Sequence, residues 1–239
     1  RPPRSTLFPY TTLFRSITSA AASAVILGAG WYLVRRGETR PAMRAAESRL
    51  IPIIAPVIDL RIAEAVLEVM EHSHGDQITV LLHTQGGCVA SCVLISNALR
   101  QYPNSTAVVP YMAISGGTMI ALNAKRLEMG RNAALSAVDP IISGMRARHL
   151  RPEKNDGGLG ALAKEYHTAI EGFLRETLAA RLPGASEEQF TRAMLAFMGE
   201  QAPHEWPVYM AAVRGLGISV EPAAPFWASQ VDAYRRRWW

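Results

Sequence analysis

Pro110-Tyr-Met-Ala-Ile-Ser-Gly-Gly-Thr118 separates a β-favouring run, Thr106-Ala-Val-Val109, from a small apolar helical pattern, Thr118-Met-Ile-Ala-Leu-Asn-Ala124. Glycine lets a backbone bend sharply and brings main-chain N–H groups close to whatever sits there. Ser115, at such a strand-to-helix turn, has its hydroxyl beside the free N–H groups of a helix start. A nucleophile and donors for a developing oxyanion are two of the parts that acyl transfer needs. Serine is also a good helix N-cap in its own right, so from this stretch alone the two readings stand level.

The chain on either side repeats the pattern. Asp59 to His72 reads as an amphipathic helix, with Ile62, Val66, Val69 and Met70 on one side. Ile78-Thr-Val-Leu-Leu-His83 is a continuous apolar run of the kind found in parallel sheets covered on both faces. It ends in Thr84-Gln85-Gly86-Gly87, and a helix over Cys88 to Leu99 begins at once. Arg126 to Met129 is a third short strand, and Ala133 to Val138 a fourth before Asp139-Pro140. Strand, glycine turn, helix, strand, serine-glycine turn, helix, strand is repeated βα work on one sheet. Ligands in open α/β sheets sit at the carboxyl ends of the strands. Gly86-Gly87 and Ser115-Gly116-Gly117 both lie at such ends, and their convergence at one crevice favours the catalytic reading.

Downstream, residues 143–160 are polar and read as a mobile loop. Helices are expected over Leu159 to Leu182, Ser186 to Met198 and Pro207 to Arg214. The domain is expected to span 57–222. Residues 223–239 end in Arg235-Arg-Arg-Trp-Trp239, a basic aromatic tail with the composition of a disordered end or a membrane-surface contact.

Residues 1–16 lack an initiator methionine and show no useful periodicity; they resemble a translated sequencing-adaptor remnant and are set aside as a non-native leader. Ile17 to Val34 carries no charge, has Trp31 and Tyr32 near its end, and is followed by Arg35, Arg36, Arg40, Arg44 and Arg49. That pattern predicts a single transmembrane helix with the following domain on the cytoplasmic side. Residues 35–56, closing in Ile-Pro-Ile-Ile-Ala-Pro, read as a linker.

Apolar residues make up 49% of the 239 residues and charged ones 19%, a globular balance with room for one sizeable domain. The net charge of +5 comes from arginines scattered without an aromatic stripe, which argues against a nucleic-acid partner. Cys88 and Cys92 lack the companions of a zinc site and read as small reduced core residues.

His83-Thr-Gln-Gly-Gly87, Ala113-Ile-Ser-Gly-Gly-Thr-Met-Ile-Ala-Leu122, Val138-Asp-Pro140, Pro203-His-Glu-Trp-Pro207 and Ala211-Ala-Val-Arg-Gly-Leu-Gly217 occur in that order. Together they resemble the serine dehydrogenase proteinase family, membrane-anchored peptidases related to signal peptide peptidase A and the Clp protease proteolytic subunit. The resemblance covers roughly residues 57 to 220. It implies an α/β fold of the Clp/crotonase-like repeated ββα kind with C-terminal helices. It also implies Ser115 as nucleophile, with Gly86, Gly87, Gly116 and Gly117 shaping the oxyanion hole and substrate groove. Gln85 stands where the family usually has proline.

The base is less clearly marked. The Clp subunit has a histidine shortly after its serine, but the neighbourhood here is Ala137-Val-Asp139. Signal peptide peptidase A uses a later lysine, and Lys164 lies on a helix flanked by apolar residues, where partial burial would make it a usable base. His204 is the alternative, because histidine as a residue type titrates near neutrality. Asp139 is a candidate orienter, although aspartate before proline also forms turns. His83 reads as structural. The expected activity is peptide-bond hydrolysis through a Ser115 acyl-enzyme, without metal or other cofactor. The expected partners are a peptide or membrane-protein substrate, lipid around residues 17–34, and further copies of the same chain. Two other readings stay open: a crotonase-like acyl-CoA enzyme, and a catalytically silent oligomeric scaffold for membrane-protein segments.

Overall fold

The computed structural model describes residues 49–73, 77–150, 158–200 and 202–238. Five parallel strands lie side by side in the order β1 (Arg49–Ile54), β2 (Gln77–His83), β3 (Asn104–Val109), β5 (Arg126–Met129) and β10 (Glu221–Pro222). A second sheet joins β4 (Met112–Ala113) in parallel to β6 (Ala134–Leu135), which pairs antiparallel with β9 (Val208–Tyr209). A hairpin of β7 (Ile141–Ile142) and β8 (Met145–Arg146) stands apart. The helices are α1 (Leu60–Glu71), α2 (Val89–Arg100), α3 (Gly116–Asn123), α4 (Leu159–Arg181), α5 (Glu187–Phe197), α6 (Met210–Gly215) and α7 (Phe226–Trp238).

The strand side chains point alternately to two faces. Ile51, Ile53, Val80, Leu82, Ala107 and Val109 join the main core with residues of α1 to α5. Ile54, Leu81 and Val108 point the other way and pack against Val231 of α7, with Trp227 and Tyr234 beside them. Local signals start the helices. Asp59 caps α1 by accepting the Ile62 N–H at 3.0 Å, and Ser186 caps α5 by accepting the Gln189 N–H at 3.2 Å. The half-buried Arg181 of α4 donates to the carbonyls of Leu122 at 2.8 Å and Ala121 at 3.2 Å. It therefore satisfies the carbonyl end of α3, the helix that follows the serine turn.

Several expectations need correcting. The 35–56 stretch read as a linker contains β1, whose Pro52 is tolerated because this is an edge strand. The 223–239 tail is not a loose end over its described part: α7 seals one face of the sheet. The expected Ala133 to Val138 strand shrinks to Ala134–Leu135 and belongs to the second sheet. Within the 143–160 stretch read as a mobile loop, the described part holds β8 and a short 3₁₀ turn, Ala147–His149. The leader at 1–16 and the transmembrane expectation at 17–34 lie outside the described residues. Among the described residues no helix is long and apolar enough to cross a membrane.

Candidate active site

β3 and β4 deliver the chain to Ser115, which sits at φ 53°, ψ −116°. A positive φ is unusual for a residue with a Cβ and costs on the order of 1–3 kcal/mol, so the surroundings must enforce it. They do so through a connected set of hydrogen bonds. The Ser115 N–H donates to Ser136 Oγ at 2.8 Å. The Ser136 N–H donates to Thr118 Oγ1 at 2.9 Å, and that hydroxyl donates to the Ala113 carbonyl at 2.7 Å. The Ile114 N–H donates to the Thr84 carbonyl at 3.0 Å, which ties the serine turn to the first glycine turn. Ser136 has no signature in the sequence; only its contact reveals it.

The two glycine turns meet. A Cβ on Gly86, at φ +101°, would lie 2.8 Å from the Gly116 nitrogen and 2.9 Å from Ser115 Cβ. A Cβ on Gly116 would sit 2.3 Å from Cys92 Sγ, and one on Gly117 2.6 Å from Thr84 Cγ2. Neither turn could be this close with larger residues. Gly87 has a different constraint: a Cβ there would collide with the Ile58 carbonyl at 2.1 Å. The Ile58 N–H donates to the Gly86 carbonyl at 2.7 Å, and its carbonyl accepts the Cys88 N–H at 2.8 Å. Successive peptide groups of an extended chain face opposite sides, so the Gly87 N–H and C=O are turned away from Ile58. Among the described residues neither the Gly87 nor the Gly116 N–H has an acceptor. The two nitrogens lie close together, as the Gly87 nitrogen is 3.5 Å from where a Gly116 Cβ would be. Two adjacent unpaired N–H groups beside a serine are the parts of an oxyanion hole.

Asp139 and His204, remote in sequence, are bonded. Asp139 is 1% exposed and accepts from His204 Nδ1 at 2.9 Å through Oδ1 and from Arg146 Nε at 2.5 Å through Oδ2. Burial alone would raise the Asp139 carboxyl, but the bonds and charges of His204 and Arg146 outweigh it and hold the group below the usual carboxylate range. An ionised carboxylate can only accept, so the hydrogen shared with Asp139 is assigned to His204 Nδ1. Arg146 also donates to the carbonyls of Ala202 at 2.7 Å and Gly199 at 2.5 Å, and so braces the loop that carries His204. Asp139 lies three residues after Ser136, the residue that holds the Ser115 N–H. Lys164 is exposed on α4. His83, buried at the end of β2, stacks edge-on against Tyr111 at 5.7 Å; burial and the charge of Arg235 lower its pKa. Arg146 was legible only as one charge in a polar stretch.

Among the described residues no three His, Cys, Asp or Glu side chains are grouped as a metal site would require.

A serine on a strained strand-to-helix turn, facing a second glycine turn at the ends of parallel strands, defines an α/β protein of the Clp type. The chain belongs to the ClpP-like SDH-type serine proteinase family, whose sequence pattern matches residues 47–230. Two uncharacterized proteins of Methanocaldococcus jannaschii are similar. One is 27% identical over 180 residues, covering 70% of this chain and 62% of its own length. The other is 26% identical over 179 residues, covering 70% of this chain and 60% of its own length. The chain thus spans about three-fifths of the length of these relatives. A ClpP1 mutant from Listeria monocytogenes shares the fold, with a TM-score of 0.52 and 19% identity over 75% of this chain and 94% of that one.

Proposed function

We propose that this protein is a serine peptidase in which Ser115 attacks the carbonyl of an extended peptide. The observation that carries the reading is the meeting of the two turns, which brings the unpaired Gly87 and Gly116 N–H groups together beside a strained Ser115. The Ser115 Oγ–C bond forms as its proton passes to the base. The oxyanion is held by the two N–H groups, and collapse expels the amine, which takes that proton. Water, deprotonated by the same base, then releases the acid and frees Ser115.

In this reading the base is His204, oriented by Asp139, in preference to Lys164. His204 is 10% exposed and hydrogen-bonded to Asp139 at Nδ1, so in this reading Nε2 is the nitrogen that would take the proton. Lys164 is exposed on the surface of α4. The open edge at Gly87 suits a substrate strand that adds to the sheet. Self-association is part of the proposal, supported by the family and by the exposed Ile141, Met145, Trp206 and Tyr209. Attachment to a membrane through residues 17–34, with the domain on the cytoplasmic face, rests on sequence pattern alone. Release of the full chain by carbonate washing would refute the attachment.

A fluorophosphonate probe tests the chemistry. Wild type is expected to be labelled and Ser115→Ala not. His204→Ala should slow labelling about a hundred-fold or more, the usual worth of a general base, while Lys164→Ala should leave it near wild type. Labelling that survives Ser115→Ala refutes the nucleophile. Loss in Lys164→Ala with retention in His204→Ala returns the base to the lysine.

A further inference from the structure

Arg146 reaches Asp139 because the chain turns back on itself within seven residues. The β7–β8 hairpin closes on Ser143 at φ 52° and Gly144 at φ 80°, the left-handed pair that a two-residue turn of this kind favours. It sets Ile141 opposite Arg146, and the Ala147 N–H donates to the Pro140 carbonyl at 2.8 Å. The Arg146 side chain is 13% exposed, and each of its three nitrogens donates. Nε donates to Asp139 Oδ2 at 2.5 Å and Nη1 to the Ala202 carbonyl at 2.7 Å. Nη2 donates to the Gly199 carbonyl at 2.5 Å and, more weakly, to that of Met198 at 3.4 Å. Met198 and Gly199 end α5, where helix carbonyls lack intrahelical partners. Gly199, at φ 65°, lets the backbone close on the guanidinium: a Cβ there would stand 2.1 Å from Nη2 and 2.7 Å from Ala137 Cβ. One planar group thus grips both things that fix His204: the carboxylate bonded to its Nδ1 at 2.9 Å, and the carbonyls of the chain that leads to it.

We infer that Arg146 is a positioning residue for proton transfer at Ser115, acting through His204, an inference that rests on the reading of His204 as the base. A base must stay within hydrogen-bond reach of the proton it takes. The Asp139 bond alone leaves the imidazole free to swing about the carboxylate oxygen when the backbone beneath it shifts. Three carbonyls on the same fork remove that freedom, since the guanidinium is planar and its donors diverge at fixed angles. Charge alone does not achieve this. A lysine ammonium would also face Asp139 with a positive charge, but a compact point charge does not span a carboxylate and three carbonyls. The fork, rather than the charge, is what holds the base in place.

The test is fluorophosphonate labelling of the full chain carrying Arg146→Lys, alone and combined with His204→Ala. Arg146→Lys keeps a charge beside the buried Asp139, so the variant should fold, which melting and circular dichroism would verify. Labelling of Ser115 should slow about ten-fold or more, because a full ångström of misplacement at a reacting centre costs about a hundred-fold. In the His204→Ala background the same substitution should slow it no further, since no base is left to misplace. Diethyl pyrocarbonate gives a readout that needs no peptidase activity. Carbethoxylation of His204, followed by peptide mass analysis, should be several-fold faster in Arg146→Lys than in wild type, where the side chain is 10% exposed. Wild-type labelling in the folded Arg146→Lys variant overturns the inference. So does an equal loss with and without His204, or an unchanged carbethoxylation rate, and these outcomes leave the peptidase reading standing. A wild type that is not labelled, or a His204→Ala variant labelled at the wild-type rate, refutes that reading and the inference with it.

Discussion

Gly86→Ala is the sharpest single test of how the two turns are held together. The new Cβ would stand 2.8 Å from the Gly116 nitrogen, 2.8 Å from the Ile114 carbonyl oxygen and 2.9 Å from Ser115 Cβ. Two of these are backbone atoms and the third is fixed to the nucleophile, so no flexible side-chain end can yield. Ordinary contact begins near 3.4 Å, and the turns must separate by about half an ångström. The φ of +101° adds a conformational cost that glycine does not have. Strain of about 1–3 kcal/mol plus overpacking of about 1–3 kcal/mol gives a loss of roughly 2–6 kcal/mol. At about 2–4 °C per kcal/mol for a domain of this size, the melting temperature should fall by roughly 4–24 °C. Well below the new melting temperature, fluorophosphonate labelling of Ser115 should still be slowed about ten-fold or more, since a full ångström of misplacement at a reacting centre costs about a hundred-fold. Gly172→Ala is the control: nothing lies within 4 Å of its Cβ, and it sits on the exposed face of α4. It should stabilise by about 0.5–1 kcal/mol and leave labelling unchanged. If Gly86→Ala matches wild type in both melting and labelling, the close approach of the turns does not exist as described.

Three further outcomes follow from particular contacts. Asp139 has a depressed folded-state pKa, so its contribution is present above the ordinary aspartate value and is lost as pH falls through the lower folded one; Asp139→Asn should flatten acid unfolding in that window, and an unchanged acid limb would remove Asp139 from the account. Arg181→Ala strips charged donors from the α3 carbonyls and should destabilise by about 2–4 kcal/mol in urea titration. A loss under about half a kcal/mol would mean that water replaces the cap. Truncation after Pro222 uncovers Ile54, Leu81 and Val108 and should produce aggregation or dye binding to apolar surface; a monodisperse truncated chain with wild-type melting would return residues 223–239 to the status of a loose tail.

The sequence by itself determined the repeating βα order and the two glycine turns. Continuous apolar strands such as Gln77–His83 and single caps such as Asp59 act locally, and local chemistry is written in neighbouring residues. It also determined that the turns at 86–87 and 115–117 lie at strand ends, because a parallel sheet puts all its carboxyl ends on one side. It misled at β1, where Pro52 and Pro56 looked like a linker; an edge strand accepts proline only because its outer side has no partner to lose, a fact about the strand's neighbours. It misled at α7, whose arginines dominate the composition while Val231 and its neighbours dock it. Only the tertiary structure joined Ser136 to the Ser115 N–H, and Asp139 to both Arg146 and His204. A hydrogen bond across 65 residues has no period, and its partners carry no mark until the sheet and the C-terminal helices have packed and left them the same small volume to share.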